Sequence, residues 1–289
     1  MWPVYLGIGL SFIIVFSFLI IRYNRYHPKK IKIYFKDFNK LPRLASHRGY
    51  GKKAIVPENT LDAFQKSTRE GFRFHEMDVR ISKDEIPVVF HGPDLSTTTN
   101  GFGLVESYTV KELQKLDWGD YLNKKKKSKK IPLLTLENYL STLGKKTITN
   151  IELKKELLTF HHKLEKNTMD LVSKLKLENR IFFSSFNPFV LRQLKKRTRG
   201  IPIGLLVEPG FFFGIIEFLL RIIIRPDFIH PPVEMVTRKR IQKWKKKGLS
   251  VIVWTVNDFE KAKQLIKWGA DLIITDNISM IKEYKKLFN

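Results

Sequence analysis

The rhythm of hydrophobic and polar positions changes twice along the chain. Residues 3–21 read PVYLGIGLSFIIVFSFLII, an apolar run without a charge. Its length matches the roughly 20 residues that cross a hydrocarbon core. From Leu41 onward, short runs rich in Ile, Val and Phe alternate with segments whose apolar residues recur at helical spacing. The strands predicted are 43–50, 74–81, 147–153, 181–186, 203–207, 228–230, 251–256 and 272–275. Helices are predicted over 59–71, 110–116, 136–143, 158–177, 188–196, 238–247 and 259–268. Strand–helix alternation that closes at eight strands predicts an α/β protein of the (β/α)8 TIM-barrel type. The gap from Asp78 to His91 is too short for a parallel crossover, which takes a dozen or more residues. RISKDEIPVVF therefore reads as a β-hairpin inserted after strand 2, turning at Asp84–Glu85 and setting Asp78 opposite His91.

Three segments depart from the barrel pattern. The run at 3–21 is followed by the basic stretch RYNRYHPKKIKIYFK, with no charged side chain before it. It has no basic n-region and no small-x-small site, so a transmembrane anchor is favoured over a cleaved signal peptide. The positive-inside rule then places the bulk of the chain in the cytoplasm, behind a single pass. The expected organisation is a transmembrane anchor over 1–24, a basic juxtamembrane linker over 25–40, and the barrel over 41–289. A Lys-rich loop at 123–130 interrupts the barrel pattern. Residues 211–225, FFFGIIEFLLRIIIR, are apolar on nearly every side. Such a helix is deeply buried or membrane-associated. It is expected to be an interfacial helix or lid beside the barrel mouth, with a barrel-packed helix or a dimer contact as alternatives.

Composition sharpens this little. Lys and Arg number 53 against 28 Asp and Glu, a net charge of +25. That balance suits a polyanionic surface. Anionic lipid is favoured over nucleic acid, because the run KKKKSKK carries no aromatic platform for bases. The absence of Cys excludes disulfides and thiolate metal sites.

Chemistry concentrates between His47 and His91. Glu76 and Asp78 lie two apart on a predicted strand and share a face. Paired carboxylates need a proton or a cation, and Glu152 ends another strand. Three oxygen ligands without Cys suit a hard divalent cation, Ca²⁺ or Mg²⁺. His47 and His91 are suited to proton transfer near neutral pH. Arg48 can grip a phosphate in bidentate fashion, and Gly49 lets backbone approach a ligand. A cation, an Arg, a Lys and two His together describe phosphodiester cleavage. Ser185, Asn257 and Asp276 also fall at predicted strand ends.

The motifs HRG at 47–49, PENT at 57–60, EMDV at 76–79, PVVFH at 87–91, IELK at 151–154, SSF at 184–186, VWTVN at 253–257 and ITD at 274–276 stand in one order. On them the chain resembles the glycerophosphodiester phosphodiesterase family, barrels akin to phosphatidylinositol-specific phospholipases C. The resemblance implies His47 and His91 as acid/base pair, Arg48 and Lys154 on the phosphate, and Glu76, Asp78 and Glu152 on the metal. It also implies that Trp254 lines the substrate pocket and Glu58 supports the site. The substrate implied is a glycerophosphodiester or a lysophospholipid, cleaved to an alcohol and glycerol 3-phosphate or lysophosphatidic acid. The lean is toward lysolipid, since 1–21 and 211–225 could hold the mouth at a bilayer. Where the family has Asp after its second histidine this chain has Gly92, with Asp94 following, and STTTNG at 96–101 lacks a usual Arg. The alternative is therefore a catalytically impaired barrel that binds anionic lipid.

Overall fold

The computed structural model describes residues 17, 28, 31–35, 38–49, 56–123, 130–155, 161–198, 200–210 and 222–288. Eight parallel strands close into a barrel: β1 (Leu44–His47), β2 (Phe74–Ile81), β4 (Ile148–Leu153), β5 (Ile181–Ser185), β6 (Ile203–Leu206), β7 (Phe228–His230), β8 (Ser250–Val253) and β9 (Leu272–Thr275). Pairing of β1 with both β2 and β9 completes the ring. The remaining strand, β3 (Pro87–Val89), runs antiparallel to β2. Outside the ring pack α1 (Leu61–Glu70), α2 (Leu136–Leu143), α3 (Lys163–Lys174), α4 (Pro188–Arg197), α5 (Arg238–Lys246), α6 (Phe259–Trp268) and α7 (Met280–Phe288). The (β/α)8 expectation holds.

The helices start where the sequence supplies caps. Thr60 accepts from Ala63 N at the start of α1, and Gly71 ends it at φ 115°, a conformation that Gly adopts without a Cβ clash. Thr135, Asn187, Thr237 and Asp258 cap α2, α4, α5 and α6 in the same way. Between strands and helices lies the main core, with Met77, Ile151, Phe183, Leu205 and Val251 on the outward faces of the strands.

A second cluster fills the barrel interior at the N-terminal ends of the strands: Phe74, Ile148, Phe182, Phe228, Ile252 and Leu272. Ile31, Phe35 and Phe38 close it from below, and Phe35 and Phe38 stack near Phe182 and Phe74 at 5.7 and 5.0 Å. Part of the expected 25–40 linker is thus the barrel floor. Ile31, Phe35 and Phe38 recur at spacings of four and three, so a stretch that reads as basic contributes to the core. Ile31, Phe35 and Phe38 therefore lie at the end of the barrel opposite the mouth, with Pro28 within reach of Gly248.

The hairpin forms, with a register one residue away from the expected one. Val79 pairs with Val89 and Arg80 with Val88, so Asp78 faces Phe90, not His91. The loop is three residues, Lys83–Asp84–Glu85, with Glu85 at φ 65° in the left-handed region. A three-residue loop ending in that conformation moves the pairing by one position relative to a two-residue turn. Residues beyond the hairpin form a satellite core of Phe90, Leu95, Val105, Leu113, Trp118 and Leu133 beside the mouth.

Among the described residues no helix is long and apolar enough to cross a membrane. The run at 3–21 lies outside them except for Ser17, as do 124–129 and 211–221. Of the 211–225 segment, Ile222 and Ile224 are buried, Ile224 joins the main core, and Ile223 between them is exposed.

Candidate active site

Above the floor most inward-facing positions turn from apolar to polar. β1 ends in His47; β2 carries Glu76 and Asp78; β4 carries Glu152, with Lys154 just beyond; Trp254 follows β8. With Arg48, His91, Phe186, Leu206, Glu208, His230 and Ile274, all of these except Asp78 line one pocket of about 290 Å³ at the C-terminal mouth. A larger open groove runs along the outside of α6, lined by Arg43, Lys261, Lys267 and Trp268. It gathers no comparable set of acid–base groups.

Asp78 sits beneath the pocket, 1% exposed. Arg48 Nε lies 3.0 Å from its Oδ2 and Lys154 Nζ 3.2 Å from its Oδ1. Asn59 Nδ2 donates to Oδ2 at 3.0 Å. Burial alone would raise the Asp78 carboxyl, but Lys154 and Arg48 outweigh it and hold it well below the usual carboxylate range. Burial works against charge on Arg48 and Lys154 too, and the surrounding carboxylates reverse that, so both stay cationic. Arg48 is gripped on its other side by Glu58, 2.9 Å from NH1. Glu58 therefore meets Arg48 rather than the pocket. Arg48 itself takes φ 52°, an uncommon conformation that the hydrogen bond from its backbone N–H to the Glu76 carbonyl helps to fix. Gly49 packs tightly against α1: a Cβ there would lie 2.9 Å from the Ala63 and Phe64 backbone.

Carboxyl oxygens of Glu76, Asp78 and Glu152 lie within 4.8 Å of one another. Burial first, then Asp78 and Glu152, pushes Glu76 well above its ordinary range, and burial also raises Glu152. Asp78 Oδ1 and Glu152 Oε1 touch the Lys154 ammonium without hydrogen-bond geometry. An all-oxygen set that must otherwise retain a proton fits a hard divalent cation, which replaces that proton.

His47 Nδ1 lies 2.6 Å from Asp276 Oδ1, and Nε2 lies 3.8 Å from Glu76 Oε2. The His47 contact outweighs burial and lowers the Asp276 carboxyl. Asp276 engages Nδ1, which leaves Nε2 for the pocket. Asn257 steadies Asp276 by accepting from its backbone N–H at 2.8 Å. Ser185 points away from the interior and donates to Leu153 O, a structural role. Asp94 does not replace the missing Asp beside His91. Its carboxylate accepts from Ser96 N and Gly103 N at 2.9 and 3.2 Å. A Cβ on Gly92 would come 2.5 Å from Thr97 Oγ1, so the turn excludes a side chain unless Thr97 moves.

Sequence reasoning passed over His230, Glu208, Phe186 and Leu206 in the pocket. His230 ends a three-residue strand, so the strand-end criterion that found the others also covers it.

Cationic side chains over clustered carboxylates, with a histidine on either flank, make this mouth a site for phosphate-ester hydrolysis. Residues 47–280 match the glycerophosphoryl diester phosphodiesterase family. A glycerophosphodiester phosphodiesterase of Caldanaerobacter subterraneus subsp. tengcongensis is 33% identical over 233 residues, 80% of this chain and 93% of that protein. A phosphodiesterase of Oleispira antarctica, solved in complex with the product sn-glycerol-3-phosphate, is 27% identical with a TM-score of 0.69, over 86% of this chain and 98% of that one. A glycerophosphodiester phosphodiesterase structure from Thermotoga maritima is 28% identical with a TM-score of 0.65, over 85% and 97% of the two chains. The chain belongs to this family and is an enzyme, a glycerophosphodiester phosphodiesterase.

Proposed function

We propose that the enzyme cleaves glycerophosphodiesters to an alcohol and glycerol 3-phosphate through acid–base catalysis by His47 and His91, with Ca²⁺ or Mg²⁺ held by Glu76, Asp78 and Glu152. The carboxylate cluster within 4.8 Å, inside a pocket that also holds both histidines, is the observation that carries the reading. When bound, the cation supplies positive charge against the phosphoryl oxygens.

Arg48 and Lys154 orient the phosphate, and Glu58 holds Arg48 in place. His47 Nε2 takes the proton of the glycerol 2-hydroxyl as that oxygen bonds to phosphorus. His91 gives a proton to the departing alcohol oxygen as its bond to phosphorus breaks. A cyclic phosphate results, and water opens it with the two proton transfers reversed. Trp254 walls the pocket.

Lysophospholipids form a second substrate class, supported by the apolar 211–225 segment. The same reading includes a single-pass anchor over 1–24 with the barrel on the cytoplasmic side. The uncharged run and its basic flank support that, and protease accessibility in sealed vesicles checks it. Hydrolysis of glycerophosphocholine and lysophosphatidylcholine with added Ca²⁺ or Mg²⁺ tests the catalytic reading. Release of choline is expected, with its loss in Glu76→Ala and His47→Ala; a folded protein that releases none overturns it.

A further inference from the structure

His230 is the pocket group to which the reaction above gives no work. It ends β7, is 1% exposed, and lines the pocket beside His47, Lys154 and Trp254. Among the described residues neither ring nitrogen has a hydrogen-bond partner. Its ring is wedged between Phe228 and Trp254, with centroids 6.2 and 6.3 Å away. Its carbonyl is fixed by Trp254 Nε1 at 2.9 Å and Val207 N at 3.3 Å. The ring is thus held rigidly while both polar atoms stay unsatisfied, an arrangement that is unfavourable without a ligand.

The chemistry of the ring narrows that ligand. Burial, with His47 and Lys154 nearby, keeps it neutral, its pKa pushed down to about 3. A neutral imidazole offers one donor and one acceptor. The phosphate already has Arg48 and Lys154, and the 2-hydroxyl belongs to the histidine that deprotonates it. The polar group left on a glycerophosphodiester's glycerol is the terminal hydroxyl, which both donates and accepts. We propose that His230 binds this terminal hydroxyl and makes the enzyme select glycerophosphodiesters over 1-acyl lysophospholipids. An acyl ester at that position lacks the donor and brings a chain against a side chain closed off from solvent. The proposal rests on the phosphodiesterase reading and decides between its two substrate classes.

The experiment is a cycle of two substrates and three proteins. The substrates are glycerophosphocholine and its analogue with hydrogen in place of the terminal hydroxyl. The proteins are wild type, His230→Leu and His230→Asn, each checked by thermal melting. Wild type is expected to prefer glycerophosphocholine in kcat/KM by about 10- to 100-fold. His230→Leu loses that factor on glycerophosphocholine and little on the analogue, so the preference collapses toward one. His230→Asn, which keeps a donor and an acceptor, recovers part of it. Wild type also turns over 1-acyl lysophosphatidylcholine more slowly than glycerophosphocholine. Equal losses on both substrates in His230→Leu, or a wild type indifferent to the hydroxyl, overturn the assignment. The wild-type comparison holds even if a variant fails to fold. A wild type that cleaves neither diester overturns the parent reading instead.

Discussion

The floor and the mouth of the barrel are built on the same strands, often two residues apart. At the floor, Phe74, Ile148, Phe182, Phe228, Ile252 and Leu272 close an apolar plug over Ile31, Phe35 and Phe38. One inward step higher, Phe74 gives way to Glu76 and Phe228 to His230; farther up β4 the interior reaches Glu152. The floor buries apolar area, which stabilises the fold. The mouth buries like charges and unpartnered nitrogens, which oppose it. A period-two pattern thus carries a gradient along the barrel axis, and stability and chemistry are separable on it. Substitutions that divide the two properties test this.

The largest effect is expected at Glu76. Glu76→Gln keeps shape but removes one cation ligand, and activity should fall by about 10³-fold or more. Stability measured without added cation should stay level or rise by about 1 kcal/mol, because the folded chain no longer holds a carboxyl whose ionised form its burial disfavours. A melting temperature that falls along with activity would merge the two regions. Phe182→Ala is the converse. Phe182 is fully buried between Phe35 and Phe228. Its loss should destabilise by about 3–5 kcal/mol in denaturant titration, with kcat/KM per folded molecule unchanged.

Asp276→Asn sharpens the mouth side. The amide keeps the size of the carboxylate yet no longer fixes the His47 tautomer through the 2.6 Å contact. A fall in kcat of about 10²-fold is expected, with KM little changed. A change in KM alone would move Asp276 from proton transfer to binding.

Much of this division is legible in the sequence, and its gaps have physical causes. Charged residues at strand ends announce the mouth, because period-two facing and barrel closure bring them together without detailed geometry. The floor plug of Ile31, Phe35 and Phe38 is hidden because five lysines between positions 29 and 40 make the stretch read as a linker. The hairpin register slips because Glu85 adopts a left-handed conformation that composition assigns to Gly or Asn. His230 escapes because one histidine on a short apolar strand has no partner in sequence; its partners arrive only when Trp254 and Phe228 fold against it.

The smallest effect tests the wall between floor and mouth. His75 lies on β2 between Phe74 and Glu76 but faces outward, under α1 and α2. Its Nδ1 is 2.8 Å from Tyr139 Oη, and its Nε2 is 3.2 Å from Ser67 Oγ. Burial, with Arg73 adding to it, pushes its pKa down to about 3. The unfolded chain binds this proton near pH 6.5 and the folded chain does not. The contribution of His75 is therefore complete above about pH 6.5 and is lost as pH falls toward 3. At pH 5 the loss is about 2 kcal/mol. His75→Gln removes this one proton linkage. Its stability deficit against wild type should narrow by about 2 kcal/mol between pH 7.5 and pH 5, read by denaturant titration at each pH. Turnover at neutral pH should not change, because the ring faces away from the pocket. A deficit constant with pH would mean that the wall titrates elsewhere, and that the acid sensitivity of the barrel belongs to its mouth.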